Sequence, residues 1–160
     1  MSVADICDEY KADVQPLQPG LRSYGGKRAF TGLIETVRVD EDNTLVRETL
    51  SSPGHGRVLV VDGSAKVVAL VGDRLATLAI DAGWNGVIVN GYVRDAEALA
   101  NMPFGVMALG VFPRRSFEKR AGEVSAEVNF LGVEFTPGSW VAADTDGVVV
   151  ANSEPKSAKS

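Results

Sequence analysis

In VGDRLATLAIDAGWNGVIVNGYVRD, residues 71–95, two groups of residues could do chemistry. The first is Gly72-Asp73, followed by Arg74 and Leu75, at what reads as the start of a helix. Glycine there lets a ligand approach the unpaired backbone N–H groups of residues 72–75. Those donors, with the helix dipole, favour an anion. The second is Arg94-Asp95, where the apolar run GVIVNGY ends. Arginine offers a planar two-donor fork for a carboxylate, and aspartate is a hard oxygen ligand suited to Mg²⁺. Gly72 follows the strand-like AKVVALV and Arg94 follows GVIVN, and α/β sheets bind ligands at the carboxyl ends of their strands. A structural alternative stands beside this one: Asp73 and Asp95 cap their helices while Arg94 pairs with an acid on the surface. These residues alone leave both open.

Other motifs carry less. PGHGRVLVVDG holds a G-x-G, but it precedes a strand and lacks the third glycine of a dinucleotide loop, so it reads as a turn with His55 solvated in it. No G-x-x-x-x-G-K-[ST] occurs. DTDG, residues 144–147, lacks the later ligands of a calcium loop and fits a hairpin turn. RRSFEKR, with Arg114, Arg115, Lys119 and Arg120, reads as a solvated connector rather than an anion or partner site. Cys7 lies on the apolar face of the first helix and reads as a packing residue. One cysteine and one histidine exclude a Cys/His zinc site, so a bound metal would be oxygen-ligated, Mg²⁺ or Mn²⁺.

The elements that must position these groups are legible as an α/β mixture. Ser2 is the expected cap of a first helix with Val3, Ile6, Cys7 and Tyr10 on one face. VQPLQPGLRSYGGKR reads as loop, FTGLIETVRV as a strand and TLVRETLSS as a short helix. RVLVVDG and AKVVALVG read as buried strands. In the helix after them, Leu75, Leu78, Ala79 and Ala82 form the stripe expected to face the core, and Gly83 ends it. GVIVNGY, the helix DAEALAN and the strand FGVMALGVFP follow, then strands in VSAEVNFLGVEF turning near Leu131-Gly132, and a closing hairpin of SWVAAD and GVVVAN.

One domain over residues 1–152 and a polar tail over 153–160 are expected. An excess of acids, 21 against 16 bases, argues against unaided nucleic-acid binding. No apolar run approaches the ~18 residues of a membrane helix. The first residues lack the basic start of a secretory signal, and the single cysteine fits a reducing cytoplasm.

Gly72-Asp73-x-Leu75 followed by Gly91-x-x-Arg94-Asp95 resembles the family of the regulator of ribonuclease activity A and the 4-hydroxy-4-methyl-2-oxoglutarate aldolases, the RraA-like family. The likeness takes in CDEY, SYGGKRAFTG, RVLVVDG and VNFLGVEFTPGSWVAADTDGVVV, nearly the whole chain. It implies a swivelling β/β/α domain, ring-shaped homotrimers with sites between subunits, and a divalent metal acting on a pyruvate-like 2-oxo acid. By the same resemblance, the amides of Gly72, Asp73, Arg74 and Leu75 hold the oxo-acid end of the substrate, and Arg94 binds and polarises it. Asp95 holds the metal, largely through water, and Asp73 helps orient a metal-bound water that shuttles the proton. The aldolase pattern has an acidic residue three positions after the metal aspartate. Here Ala98 stands there with Glu97 beside it, and one residue along a helix is ~100° of rotation. The resemblance also implies a second role, binding and inhibiting an RNA-degrading endonuclease. A menaquinone methyltransferase label attached to the family finds no strand–GxGxG–helix cofactor loop here.

Overall fold

The computed structural model describes residues 1–117 and 122–156. Lys119 and Arg120 of the charged connector, and positions 157–160 of the expected tail, lie outside the described residues. The chain runs α1 (Val3–Tyr10), β1 (Val14–Pro16), β2 (Arg22–Ser23), β3 (Phe30–Val39), α2 (Thr44–Ser51), β4 (Val58–Asp62), β5 (Ala69–Val71), α3 (Asp73–Ala82), β6 (Gly86–Val93) and α4 (Ala96–Leu99). It continues with β7 (Gly105–Val111), β8 (Gly122–Val124), β9 (Val128–Phe130), β10 (Val133–Phe135), β11 (Trp140–Asp144) and β12 (Gly147–Ala151). This is the mixed α/β architecture expected, rich in strands and with its helices early in the chain.

Period-two alternation builds the layers. Along β4, Leu59 and Val61 face one apolar cluster while Val58 and Val60 face another, and the whole strand is buried, as a parallel strand covered on both faces must be. The first cluster packs the sheet against α2 and α3 through Val46, Leu50, Leu75, Ala76 and Ala79. The second packs its other face against the β9–β10 hairpin, where Phe130 and Phe135 stack at 4.6 Å. A third seats α1 on β1, β11 and β12 through Val3, Ile6, Trp140 and Val149. Ser2 caps α1 as expected, and Asp5 closes a reciprocal box with it. Cys7 is half-buried at this third cluster, and burial, then Asp8 and Asp144, raise its pKa, which favours the unreactive thiol.

In the main sheet β3, β4, β6 and β7 lie parallel, in that spatial order. On the far side β11 pairs antiparallel with the start of β3, followed by β12 and β1. β5 adds in parallel to the end of β6, Ala69 beside Tyr92 and Val71 beside Val93. The Leu131-Gly132 and Thr145-Asp146 turns form where the sequence places them.

Three expectations fail. Residues 14–28 are not all loop, because Val14–Pro16 pairs with β12 and Arg22–Ser23 with β7. These short edge strands are organised by their partners and not by their own residues. AKVVALVG is strand only at Ala69–Val71, since Ser64 and Ala65 take positive φ in a turn that uses up its first half. Leu78 is 40% exposed, and Ala76 occupies the buried face of α3 in its place.

Candidate active site

The parallel pairing of β5 with β6 sets the two groups side by side. Val71 ends one strand and Val93 its neighbour, and the Arg94 amide donates to Val71 O at 3.0 Å. Gly72 is the N-cap of α3 in extended backbone, φ −138° and ψ −166°, with no side chain of its own to cap the helix. The first intrahelical bond runs from Ala76 N to Gly72 O, so the amides of Asp73, Arg74 and Leu75 have no acceptor within the helix.

Asp95 supplies the missing acceptor. The Asp73 amide donates to Asp95 Oδ2 at 3.0 Å, across 22 positions of sequence. Asp95 stands at the N-cap of α4 in the left-handed region, φ 62° and ψ 41°, and its side chain does not cap that helix. Aspartate tolerates this backbone better than most residues, and it turns the carboxylate back toward α3. The structural alternative is thus half true in altered form. Asp95 caps a helix, but the neighbouring one, and Arg94 pairs with no acid among the described residues. The Arg94 guanidinium makes one long hydrogen bond, 3.4 Å to Pro113 O. Of the predicted anion-binding amides, that of Asp73 is engaged by Asp95, while those of Arg74 and Leu75 have no acceptor among the described residues.

Gly72, Asp73, Arg74, Leu75, Arg94 and Asp95 all line one open cavity of about 740 Å³. Asn43, Arg47, Arg114, Arg115 and Ser116 line it too. Sequence reasoning passed over Asn43, Arg47 and Ser116, and assigned Arg114 and Arg115 to a solvated connector. Main-chain stitching brings the connector in: Ala69 N donates to Arg114 O at 2.8 Å and Ser116 N to Ala69 O at 3.1 Å. The amide of Asn43 reaches Leu70 O at 3.3 Å and ties the start of α2 to the same strand. Five arginines therefore face two aspartates around this cavity. None of the five forms an ion pair among the described residues, so the cavity favours anions. Glu97 and Ala98 are exposed on α4 and do not line it, so Glu97 does not stand in for the missing acid.

The donor set suits a hydrated hard cation. Among the described residues no cluster of three or more His, Cys, Asp or Glu could enclose a metal. Mg²⁺ needs no such cluster, because it keeps several waters and takes one or two carboxylates plus oxygens of a ligand. Asp95 Oδ1 makes no hydrogen bond among the described residues and Asp73 lies at the same rim, so this pair fits that mode of binding.

Comparison with known proteins places the chain in a family. The family model "RraA-like: Aldolase/RraA" matches residues 3–150. A protein of Aromatoleum aromaticum named "Putative 4-hydroxy-4-methyl-2-oxoglutarate aldolase" is 52% identical over 94% of this chain and 95% of its own. A crystal structure from Geobacillus kaustophilus, described as an S-adenosylmethionine:2-dimethylmenaquinone methyltransferase, superposes with TM-score 0.94 at 48% identity, covering 96% of each chain. The RNA-processing inhibitor RraA from Thermus thermophilis superposes with TM-score 0.93 at 40% identity, covering 100% of this chain and 98% of that one. Three activities are named on one fold, so the activity must be argued from the site. The Gly72 and Arg94-Asp95 groups that pointed to the family converge on one cavity, the family model spans nearly the whole chain, and the chain belongs to the RraA-like family.

Proposed function

We propose that this protein is a divalent-metal-dependent carbon–carbon lyase. It cleaves 4-hydroxy-4-methyl-2-oxoglutarate to two pyruvates and decarboxylates oxaloacetate to pyruvate. The observation that carries the proposal is the meeting of Arg94, Asp95 and the N-terminus of α3 at one cavity. The Arg74 and Leu75 amides receive the carboxylate of the 2-oxo acid. Arg94 sets its guanidinium against the 2-oxo group, where negative charge grows as the bond between the third and fourth carbons breaks and its electron pair moves toward that oxygen. Asp95, with Asp73 beside it, would hold the cation largely through water, and the cation would withdraw electron density from the 2-oxo acid as a Lewis acid. Asp73, half-buried in the cavity lining, orients the water through which the 4-hydroxyl proton leaves and the third carbon is later protonated.

Among the described residues a Schiff-base route has no support. Lys66 does not line the cavity, and it pairs with Asp40 and Glu41. The hydrogen bond it donates to Asp40 is the first cause holding its pKa above the ordinary lysine value, whereas a Schiff-base lysine needs a lowered one. A homotrimer with the cavity at a subunit boundary belongs to the same proposal, and Phe117, half exposed at the rim, is an apolar group such a boundary would cover. The second reading, a protein that binds and inhibits an RNA-degrading endonuclease, is supported by the likeness to an RNA-processing inhibitor at 40% identity. The acidic net charge of −5 suits a basic partner.

The test is pyruvate release from both acids with Mg²⁺ and then with excess EDTA, after subtracting the spontaneous metal-promoted decay of oxaloacetate. Turnover is expected with Mg²⁺, lost with EDTA and restored by added Mg²⁺. Well-folded protein that turns over neither acid would leave endonuclease binding as the better reading.

Gly72→Ala probes the contact between the two groups. A Cβ at Gly72 would stand 2.5 Å from Asp95 Oδ2 and 3.4 Å from Arg94 Cγ, while the backbone angles there suit any residue. The substitution therefore displaces the Asp95 carboxylate without straining the chain. Turnover should fall on the order of 10²-fold, the scale of an ångström-sized misplacement, with a far-UV circular dichroism spectrum unchanged. Wild-type turnover in this variant would show that Asp95 need not sit against α3.

A further inference from the structure

The proposed chemistry uses one end of the cavity, and the rest of its positive charge has no role in that chemistry. β5 is the divider. On one side it pairs with β6, which delivers Arg94 and Asp95. On its other side the segment carrying Arg114 and Arg115 is hydrogen-bonded along Ala69, with Arg115 directly opposite that residue. Ala69 precedes Gly72 by three residues, roughly 10 Å of strand. A five-carbon diacid and one extended arginine side chain span such a distance. Arg47 lies one helical turn after Asn43, whose side chain is tied to Leu70 O, and the two share a face of α2. Arg47, Arg114 and Arg115 are exposed and line the same cavity. No carboxylate neutralises them among the described residues. Ser116, beside them, has a buried hydroxyl with no hydrogen-bond partner among the described residues, an orphan that bound ligand or water ordinarily satisfies.

We infer that Arg47 and Arg115, with Arg114 beside them, form a second anion subsite that receives the distal carboxylate of a 2-oxo diacid and so selects diacids over 2-oxo monoacids. The inference rests on the lyase reading, in which the first carboxylate is taken at α3. Arginine suits the task because its fork holds a carboxylate through two hydrogen bonds. The subsite takes no part in bond breaking, so it sets selectivity and not the chemical step.

The test uses two uncleavable acids that share the 2-oxo acid end, 2-oxoglutarate and 2-oxopentanoate, titrated calorimetrically into the protein with Mg²⁺. The wild type is expected to bind the diacid roughly tenfold or more tightly, the worth of one charge-assisted hydrogen bond. Arg47→Met and Arg115→Met should each weaken the diacid and leave the monoacid within about twofold, which is near the error of comparing such affinities. Arg115→Lys, which keeps charge without the fork, should restore part of the preference. Equal affinity of the wild type for both acids, or equal loss of both in the variants, overturns the subsite. If wild-type protein still cleaves its substrate in that case, the subsite alone has failed. If neither acid binds and nothing is cleaved, the lyase reading has failed and the subsite with it.

Discussion

Arg94→Ala is expected to lower kcat on 4-hydroxy-4-methyl-2-oxoglutarate by on the order of 10²–10³-fold, the scale of removing one donor aimed at developing charge. Among the described residues the guanidinium holds only a 3.4 Å hydrogen bond to Pro113 O and no ion pair, so little folding energy depends on it. The melting temperature should stay near that of wild type, which separates lost chemistry from lost structure. Arg94→Lys keeps the charge but not the planar fork, and it should recover only part of the rate. Steady-state kinetics beside a thermal melt decides the matter. A kcat in Arg94→Ala within a few-fold of wild type would remove this residue from the chemistry.

Asp95 carries two duties, and two substitutions separate them. Asp95→Asn keeps an oxygen that can accept from the Asp73 amide, so α3 stays capped while the negative charge is gone. Turnover and its dependence on Mg²⁺ should both collapse, with stability close to wild type. Asp95→Ala loses the cap as well, and a lost helix cap costs about 1 kcal/mol, a fall of about 2–4 °C for a chain of this size. Kinetics across a Mg²⁺ titration and calorimetric melts of both variants give the answer. An asparagine variant that keeps wild-type Mg²⁺-dependent turnover would refute the metal assignment. Endonuclease inhibition, the second reading, should survive both substitutions, since nothing in that reading needs the Asp95 charge.

The αβ unit holding Gly72 and Arg94-Asp95 was legible because its signals are local: β-branched runs, a glycine ahead of a helix and another at its end. The capping of α3 by Asp95 was not. It depends on a left-handed backbone at Asp95 and on the pairing of β5 with β6, and neither is visible in residue types. Arg114 and Arg115 were misplaced for a related reason. Backbone atoms dock that segment on Ala69, and backbone atoms leave no mark in a sequence. The face of α3 was misjudged at Leu78 because alanines and leucines crowd this helix, so several stripes fit the helical period equally well. Packing against α2 and the sheet selected the one through Ala76.

The manner in which the Arg114–Ser116 segment docks on β5 has an evolutionary consequence. Because main-chain groups of Arg114, Ser116 and Ala69 make the joint, the exposed side chains at 114 and 115 can be exchanged by mutation without loosening the fold. Arg94 and Asp95 have no such latitude, held as they are at the end of a core strand and against a neighbouring helix. Lineages could therefore drift toward new substrates through one rim of the cavity while the reaction itself stays fixed. Divergent vocations on a single scaffold are the outcome such a division of labour permits.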